Sequence, residues 1–381
     1  HTRDTVLLEG WLPAAAEEEL RRHLLEVTRG QMSLEVQAPS GSRTVPVLLG
    51  SRGRLRAFAS MVEGFGLPRY GDIEPTLFVA VTYVVMFGAM FGDLGHGALV
   101  AAAGLVSLRW SRTAALRPWA PMLLALGLSS MFFGLCYGSL LGTAFGRRVA
   151  LWQDPIEGNP VSLMLAAIGF GCGMISLGLL LNVFNRWRRG DWRGALTDRF
   201  GVAGLGFYWG ALTLALLEAS PQEHRVVSAL LGGLVLAMPA LWLFEGGRPL
   251  HAASPPSWKR RLLGLAESAV EVFETFLVYL ANTISFVRLA AYAMSHAALL
   301  LVVATLAEQL RSVPVLGGLL AFVLFVGGNV VVMALEGTVA AVQGLRLEYY
   351  EFFGKFFTGE GAPFAPFRLA AGTRFRSAWA T

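Results

Sequence analysis

Charge is scarce in this chain. Asp, Glu, Lys and Arg make up 15% of its 381 residues, where a soluble globular chain is nearer to about a quarter. With 55% hydrophobic residues, the composition excludes an ordinary water-soluble globule and predicts a membrane protein. Lysine is almost missing: Lys259 and Lys355 are the only two, and the other basic residues are arginines. That bias fits a GC-rich, bacterial source. Cysteine is limited to Cys136 and Cys172, both inside apolar runs. Two such residues exclude a disulfide framework and a thiolate metal site, and they are expected as small buried hydrophobes. Nucleotide chemistry is missing too. There is no G-x-x-x-x-G-K-[ST] phosphate loop, "GCGMISLG" lacks dinucleotide spacing, and neither Gly-x-Ser-x-Gly nor His-Glu-x-x-His occurs. The chain is therefore not expected to be an enzyme by itself, nor to hold a cofactor.

What is present is a run of apolar segments behind a charged N-terminal part. Residues 1–70 mix acids and arginines. "TVLLEGWL" and "MSLEVQ" read as strands, and "PAAAEEELRRHLLEV" reads as a helix opened by Pro13 with acids in its early turns. A small soluble α/β fragment over 1–70 is predicted, joined to a membrane domain over 71–381. The chain opens on His1 in mid-pattern without a secretory leader, so the expectation is the remainder of a longer chain. A spanning helix needs about 20 apolar residues. Eight candidates follow: Thr76–Gly92, His96–Leu108, Pro118–Gly146, Gly158–Asn185, Phe200–Leu217, Val226–Phe244, Thr275–Ala307 and Ser312–Leu345.

Positive charges test that topology. With the N-terminus in the cytoplasm, sixteen basic residues fall in inner connections and the tail, against four in outer ones. The split predicts both termini in the cytoplasm. It also argues against nucleic acid despite the net charge of +5, because the positives line membrane borders. Two arginines stay outside this pattern. Arg288 lies deep in the seventh apolar run, and Arg346 lies near the end of the eighth, with helical sequence continuing through "LEYYEFFGKFF".

Both of these runs are longer than a membrane needs. Thr275–Ala307 is 33 residues, about 50 Å of helix against an apolar core of about 30 Å. Tilt accommodates such excess, so two long, tilted helices are predicted. No Pro or Gly stands between Leu265 and Val313, which predicts that the Arg288 helix is unbroken. The face around Arg288 carries Ala281, Ser285, Ala291, Tyr292 and Ser295, with Glu274 fourteen residues back. Small side chains there let another helix approach closely. Arg346 is accompanied by Gln343, Tyr349 and Tyr350, and Glu336 lies ten residues earlier.

An arginine stays charged in any protein environment and is costly in a membrane unless it meets a partner or water. Arg288 could pair internally with Glu274 or Glu336. It could instead meet a mobile anion, either a substrate or a carboxylate on another subunit. A voltage sensor is excluded, because arginines do not recur at every third position. The glycines of "MFGAMFGDLGHG" and "FFGLCYGSLLG" align as a possible duplicated hairpin and are read as helix-packing positions. Asp93, at the end of the first span, is either a proton-path residue or a solvated helix end.

These motifs resemble a known family. "SFVRLAAYAMSHAALL" is similar to the essential-arginine helix of subunit a, called subunit I in prokaryotes, of rotary V-type and A-type ATPases. "PTLFVAVTYVVMFGAMFGDLGHG", "EGTVAAVQGLRLEYYEFFGKFF" and "EGWLP" extend the resemblance through the chain in the family's order. The resemblance implies an all-α membrane protein of eight transmembrane helices behind the end of a cytoplasmic stator arm. It implies a proton-translocating stator subunit in the bacterial plasma membrane, partnered by a proteolipid ring with one carboxylate per subunit, by the peripheral stalk and by other subunits. Carried over by position, Arg288 and Arg346 face the ring carboxylate. Gln343 lies near the second arginine, and Glu274, His296, Glu336 and Asp93 belong to the proton half-channels. Two alternatives are a secondary transporter binding an anionic substrate at Arg288 and Arg346, and a structural scaffold with both arginines paired internally.

Overall fold

The computed structural model describes residues 7–37, 45–48, 53–110, 117–143, 150–218, 258–366 and part of 227–242. The sixth expected span, Val226–Phe244, lies partly outside the described residues, and those of its positions that are described are helical. The N-terminal helix forms as its sequence predicts. A single 3-10 turn over Ala14–Ala16 leads into α1 (Glu17–Thr28), with Glu17, Glu18 and Glu19 in its first turn where the helix dipole favours acids. The two expected strands do not form: residues 7–12 and 31–37 carry no strand. A strand needs a hydrogen-bonded neighbour, and neither segment has one among the described residues. The described strand pairing is elsewhere. β1 (Pro46–Val47) runs parallel to β2 (Ala362–Pro363), which ties the early chain to the end of the last helix.

α2 (Arg56–Phe65) buries Ala57, Phe58 and Val62 and packs on α3 (Thr76–Met90). α3 joins α4 (Leu94–Trp110) and α5 (Ala120–Tyr137). Glycine makes this contact close: a Cβ on Gly97 would lie 2.6 Å from the Met131 amide nitrogen, and one on Gly104 2.5 Å from that of Leu124. The packing reading of these small residues therefore holds for the α4–α5 pair. α5 stops at Gly138, in the left-handed region at φ 68°, and not at Gly146 as its apolar run suggested.

α6 (Pro160–Arg188) is capped by Asn159, whose side-chain oxygen accepts from the Val161 amide at 3.0 Å. It is followed by the short α7 (Trp192–Thr197) and by α8 (Val202–Glu218). α9 (Trp258–Ser285) and α10 (Val287–Leu310) come from the seventh apolar run, and α11 (Gly317–Leu347) from the eighth. α11 continues through a π-helical turn, Glu348–Phe353, into α12 (Gly354–Phe356), as the sequence past Arg346 predicts. Five segments are long and apolar enough to cross a membrane: Ala120–Tyr137, Pro160–Arg188, Trp192–Glu218, Leu263–Leu310 and Gly317–Phe356. Thr76–Met90 is apolar but shorter, about 22 Å of helix. The chain is mostly helical, with five candidate spans among the described residues.

The Arg288 helix runs through Leu263–Leu310 as one 48-residue segment, as its sequence predicts, but it tightens locally at Phe286. α9 and α10 are separated by a turn at Phe286, whose amide donates to Thr283 O at 3.4 Å, while Leu289 N donates to Phe286 O at 3.0 Å. Both bonds span three residues instead of four. Tertiary packing supplies the cause, since neither Pro nor Gly is available. The Phe286 ring is fully buried against Gly171 and Phe170. Only a glycine leaves room there: a Cβ on Gly171 would lie 2.7 Å from the Cβ of Phe286. Docking of one aromatic side chain thus interrupts the ladder, two residues before Arg288.

Candidate functional site

α10 and α11 pack side by side, and Ser295 Oγ donates to Glu336 Oε1 at 3.3 Å. Arg288 lies two turns before Ser295, and Arg346 about three turns after Glu336. Because the helices run antiparallel, both arginines fall on the same side of that bond. Arg288 is half-buried, and one terminal guanidinium nitrogen is enclosed without a hydrogen-bond partner. The Gln343 side-chain oxygen is likewise enclosed and unpartnered. Arg346 is exposed. Among the described residues neither arginine forms an ion pair with a carboxylate. The internal pairs with Glu274 or Glu336 do not form. Glu274 is exposed on α9, about 21 Å along the helical path from Arg288, and is not gathered into the site.

The surface around Arg346 is apolar. Val331, Leu335, Val339, Val342 and Tyr350 are exposed and share its face at helical spacing. The most apolar stretch of Gly317–Phe356 is 17% buried within the chain, against 44% for Pro160–Arg188. The arginine helix therefore turns outward, while α6 fills the interior.

Two polar clusters flank this region. The first grows from the π-helical turn. Glu348, Glu351 and Lys355 are all buried, and spacings of three and four residues place them on one side of the helix. Glu348 accepts from Thr82 Oγ1 at 2.5 Å, while its other oxygen is unpartnered. Glu351 interacts electrostatically with Ser285, Arg288 and Arg346. Lys355 Nζ sits 5.0 Å from the centroid of the Phe200 ring and 5.3 Å from that of Tyr279. With its amide oxygen turned toward Lys355, Asn282 accepts from Nζ at 2.5 Å and donates to Val278 O at 3.3 Å. The far end of the turn is clamped to the early chain. Tyr349 Oη donates to Met61 O at 2.6 Å, Phe65 packs on Tyr349, Phe353 and Phe357, and Arg69 pairs with Glu360.

The second cluster lies in the other direction along both helices. His296 is eight residues beyond Arg288, about 12 Å of helix. Its ring meets His96 with centroids 5.5 Å apart and Phe91 at 4.7 Å. Asp93 is fully buried and fully engaged. It accepts from Ser139 Oγ at 2.6 Å, Leu141 N at 2.8 Å and His96 N at 2.9 Å. It thereby caps α4 and pins the chain after α5.

Glu351 thus acts on both Arg288 and Arg346, Gln343 lies one turn before Arg346 on α11, Glu336 bridges the two helices, and His296 and Asp93 share the second cluster. Sequence reasoning passed over Glu348, Glu351, Lys355, His96 and Asn329. The first three carried a usable signal, charge at helical spacing inside an aromatic run. The other two did not.

The chain matches the model of the V-type ATPase 116kDa subunit family over residues 1–157 and 265–369. It is 28% identical to the A-type ATP synthase subunit I of Aeropyrum pernix over 425 residues, covering 99% of this chain and 59% of the relative. The corresponding protein of Pyrococcus horikoshii is 28% identical over 379 residues, covering 96% of this chain and 54% of the relative. The V-type ATP synthase subunit I 2 of Treponema pallidum is 36% identical over 217 residues, covering 49% of this chain and 47% of the relative. The chain spans about half the length of these curated relatives. They are mostly archaeal, so the bacterial source expected from arginine usage gains no support. The matched stretches include both arginine helices and the glycine-rich hairpin, and the chain belongs to the V-type ATPase 116kDa subunit family.

Proposed function

We propose that this chain is the membrane part of a rotary A-type or V-type ATPase stator subunit, non-catalytic by itself, that couples proton flow to rotation of a proteolipid ring. One observation carries the reading: Arg346 stands on an outward-facing apolar stripe, and Arg288 is half-buried with one guanidinium nitrogen unpartnered and, among the described residues, no ion pair within 4 Å, with Glu351 acting on both arginines from farther off. Such a surface suits a helix from another subunit that brings its own acid. A ring carboxylate is neutral while it faces lipid. Opposite Arg288 its anion is stabilised and its proton leaves. Arginine suits the role because it stays charged in a low dielectric and offers a planar fork of donors.

The two polar clusters serve as the inner and outer approaches to the arginines. Glu348, Glu351 and Lys355 line the cytoplasmic side; His296, Glu336 and Asp93 belong to the opposite side. Glu274, exposed on α9, stands at the cytoplasmic entrance. Eight spans with both termini in the cytoplasm, and residues 1–70 as the end of a stalk-binding arm, complete the proposal.

Arg288→Ala in the assembled complex tests it. ATP-driven proton uptake into vesicles falls to background while subunit composition is unchanged; normal uptake would sink the reading. The enclosed, unpartnered guanidinium nitrogen of Arg288 also suits a second reading, a secondary transporter that binds an anionic substrate at Arg288 and Arg346. In that case the chain alone, reconstituted in liposomes, takes up an anion, and Arg288→Ala abolishes the uptake.

A further inference from the structure

We propose that His96 carries protons as the partner of His296, so that the outer approach to the arginines runs through a pair of imidazoles. The inference rests on the proton-translocating reading above. His96 is fully buried and His296 is 1% exposed. Their rings meet edge to face, with centroids 5.5 Å apart, yet all four ring nitrogens are buried without a hydrogen-bond partner. A neutral imidazole has one N–H donor and one acceptor nitrogen. Leaving buried polar groups unpaired costs about 1–3 kcal/mol each, so two histidines are poor choices for filling this space. Leu or Phe would pack without that cost.

The surroundings point the same way. The Asn329 side-chain oxygen is also buried and unpartnered, while its nitrogen donates to Phe325 O at 2.8 Å. Asp93 holds the backbone of His96, and its two oxygens are occupied by Ser139, Leu141 and the His96 amide. It therefore fixes the position of His96 without a hydrogen bond to its ring, which the Asn329 side chain approaches. Phe91 stacks on the His96 ring and tilts against the His296 ring, closing one side of the pair. Ser295, next to His296, reaches Glu336. The proposed route runs from His96 to His296 and on to Glu336, which Ser295 ties to the His296 helix and which stands on the helix that carries Arg346.

In each transfer one imidazole nitrogen accepts a proton and the opposite nitrogen releases one. The proton passes from outer water to His96, then through water to His296, and on to Glu336. Each ring ends neutral with its N–H on the other nitrogen, rotation of the ring restores the starting tautomer, and in ATP-driven pumping the same steps run in reverse. Charge and protons balance without any further reactant.

The test uses the assembled complex in vesicles. His96→Gln keeps a donor and an acceptor of similar size but cannot accept and release protons. It should slow ATP-driven proton uptake at least tenfold with normal subunit composition. His96→Ala should be equally slow, and added imidazole should restore at least half of the native rate, which a packing role would not allow. Normal uptake by His96→Gln, failure of imidazole to rescue His96→Ala, or loss of assembly in both variants overturns the proposal. Arg288→Ala, measured in parallel, keeps the two readings apart. Background uptake there with normal uptake in His96→Gln removes only the role of His96. Normal uptake in Arg288→Ala removes the translocation reading itself.

Discussion

The two polar clusters beside the arginines are built in opposite ways. The cluster at the π-helical turn takes Glu348, Glu351 and Lys355 from eight consecutive residues, and its charges meet partners: Thr82, the arginines, Asn282 and two aromatic faces. The cluster at His96 draws on residues separated by more than two hundred positions, and its imidazole nitrogens meet no protein partner. The first pairs its charges across helices, although one oxygen each of Glu348 and Glu351 is unpartnered. The second is positioned through the His96 backbone and through ring contacts, and all four of its imidazole nitrogens are unpartnered. The two differ in how far their polar atoms are partnered, not in burial.

Substitutions should separate them by their effect on stability. The largest loss is expected from Lys355→Met, which removes the nearest ammonium acting on buried Glu351 and the cation over Phe200 and Tyr279, leaving only the two arginines to act on Glu351. Removing one member of a buried charged pair costs about 3–5 kcal/mol, read as a lower melting temperature of the detergent-solubilised complex. Phe286→Ala comes next, at about 3–4 kcal/mol from the cavity left over Gly171. It should also lower proton uptake, because the turn before Arg288 loses its anchor. Tyr349→Phe removes the hydrogen bond to Met61 O and should cost about 1 kcal/mol, detected as easier proteolysis between residues 45 and 70. Asn329→Leu should have the smallest effect on stability, within about 1 kcal/mol of native and in either direction, since it deletes an unpartnered oxygen. A loss as large as that of Lys355→Met would show that the His96 cluster is also a structural network.

Legibility in the sequence followed the same division. Arg288 and Arg346 stood out because charge is rare in apolar runs. The helix beyond Arg346 was readable because nothing before Gly354 stops it. α1 was readable from Pro13 and its early acids. Glu348, Glu351 and Lys355 were legible in principle by helical spacing. His96 was not, because its partner lies two hundred residues away and "GDLGHG" reads equally well as a packed turn. The tightened turn at Phe286 was also hidden. Helix-breaking residues are its only sequence signal, whereas here a bulky ring finds room over Gly171 in another helix. The two N-terminal segments show the opposite failure: alternating apolar residues suggest strands, but a strand exists only where a neighbour pairs with it.

The sequence by itself determined a membrane protein with two unusual arginines on long helices, because scarcity of charge and apolar run length are local properties. Tertiary structure alone decided which arginine is exposed, where the Arg288 helix turns, and which buried polar atoms are paired. Those properties depend on what packs against each side chain, and close packing brings together residues that the sequence keeps far apart.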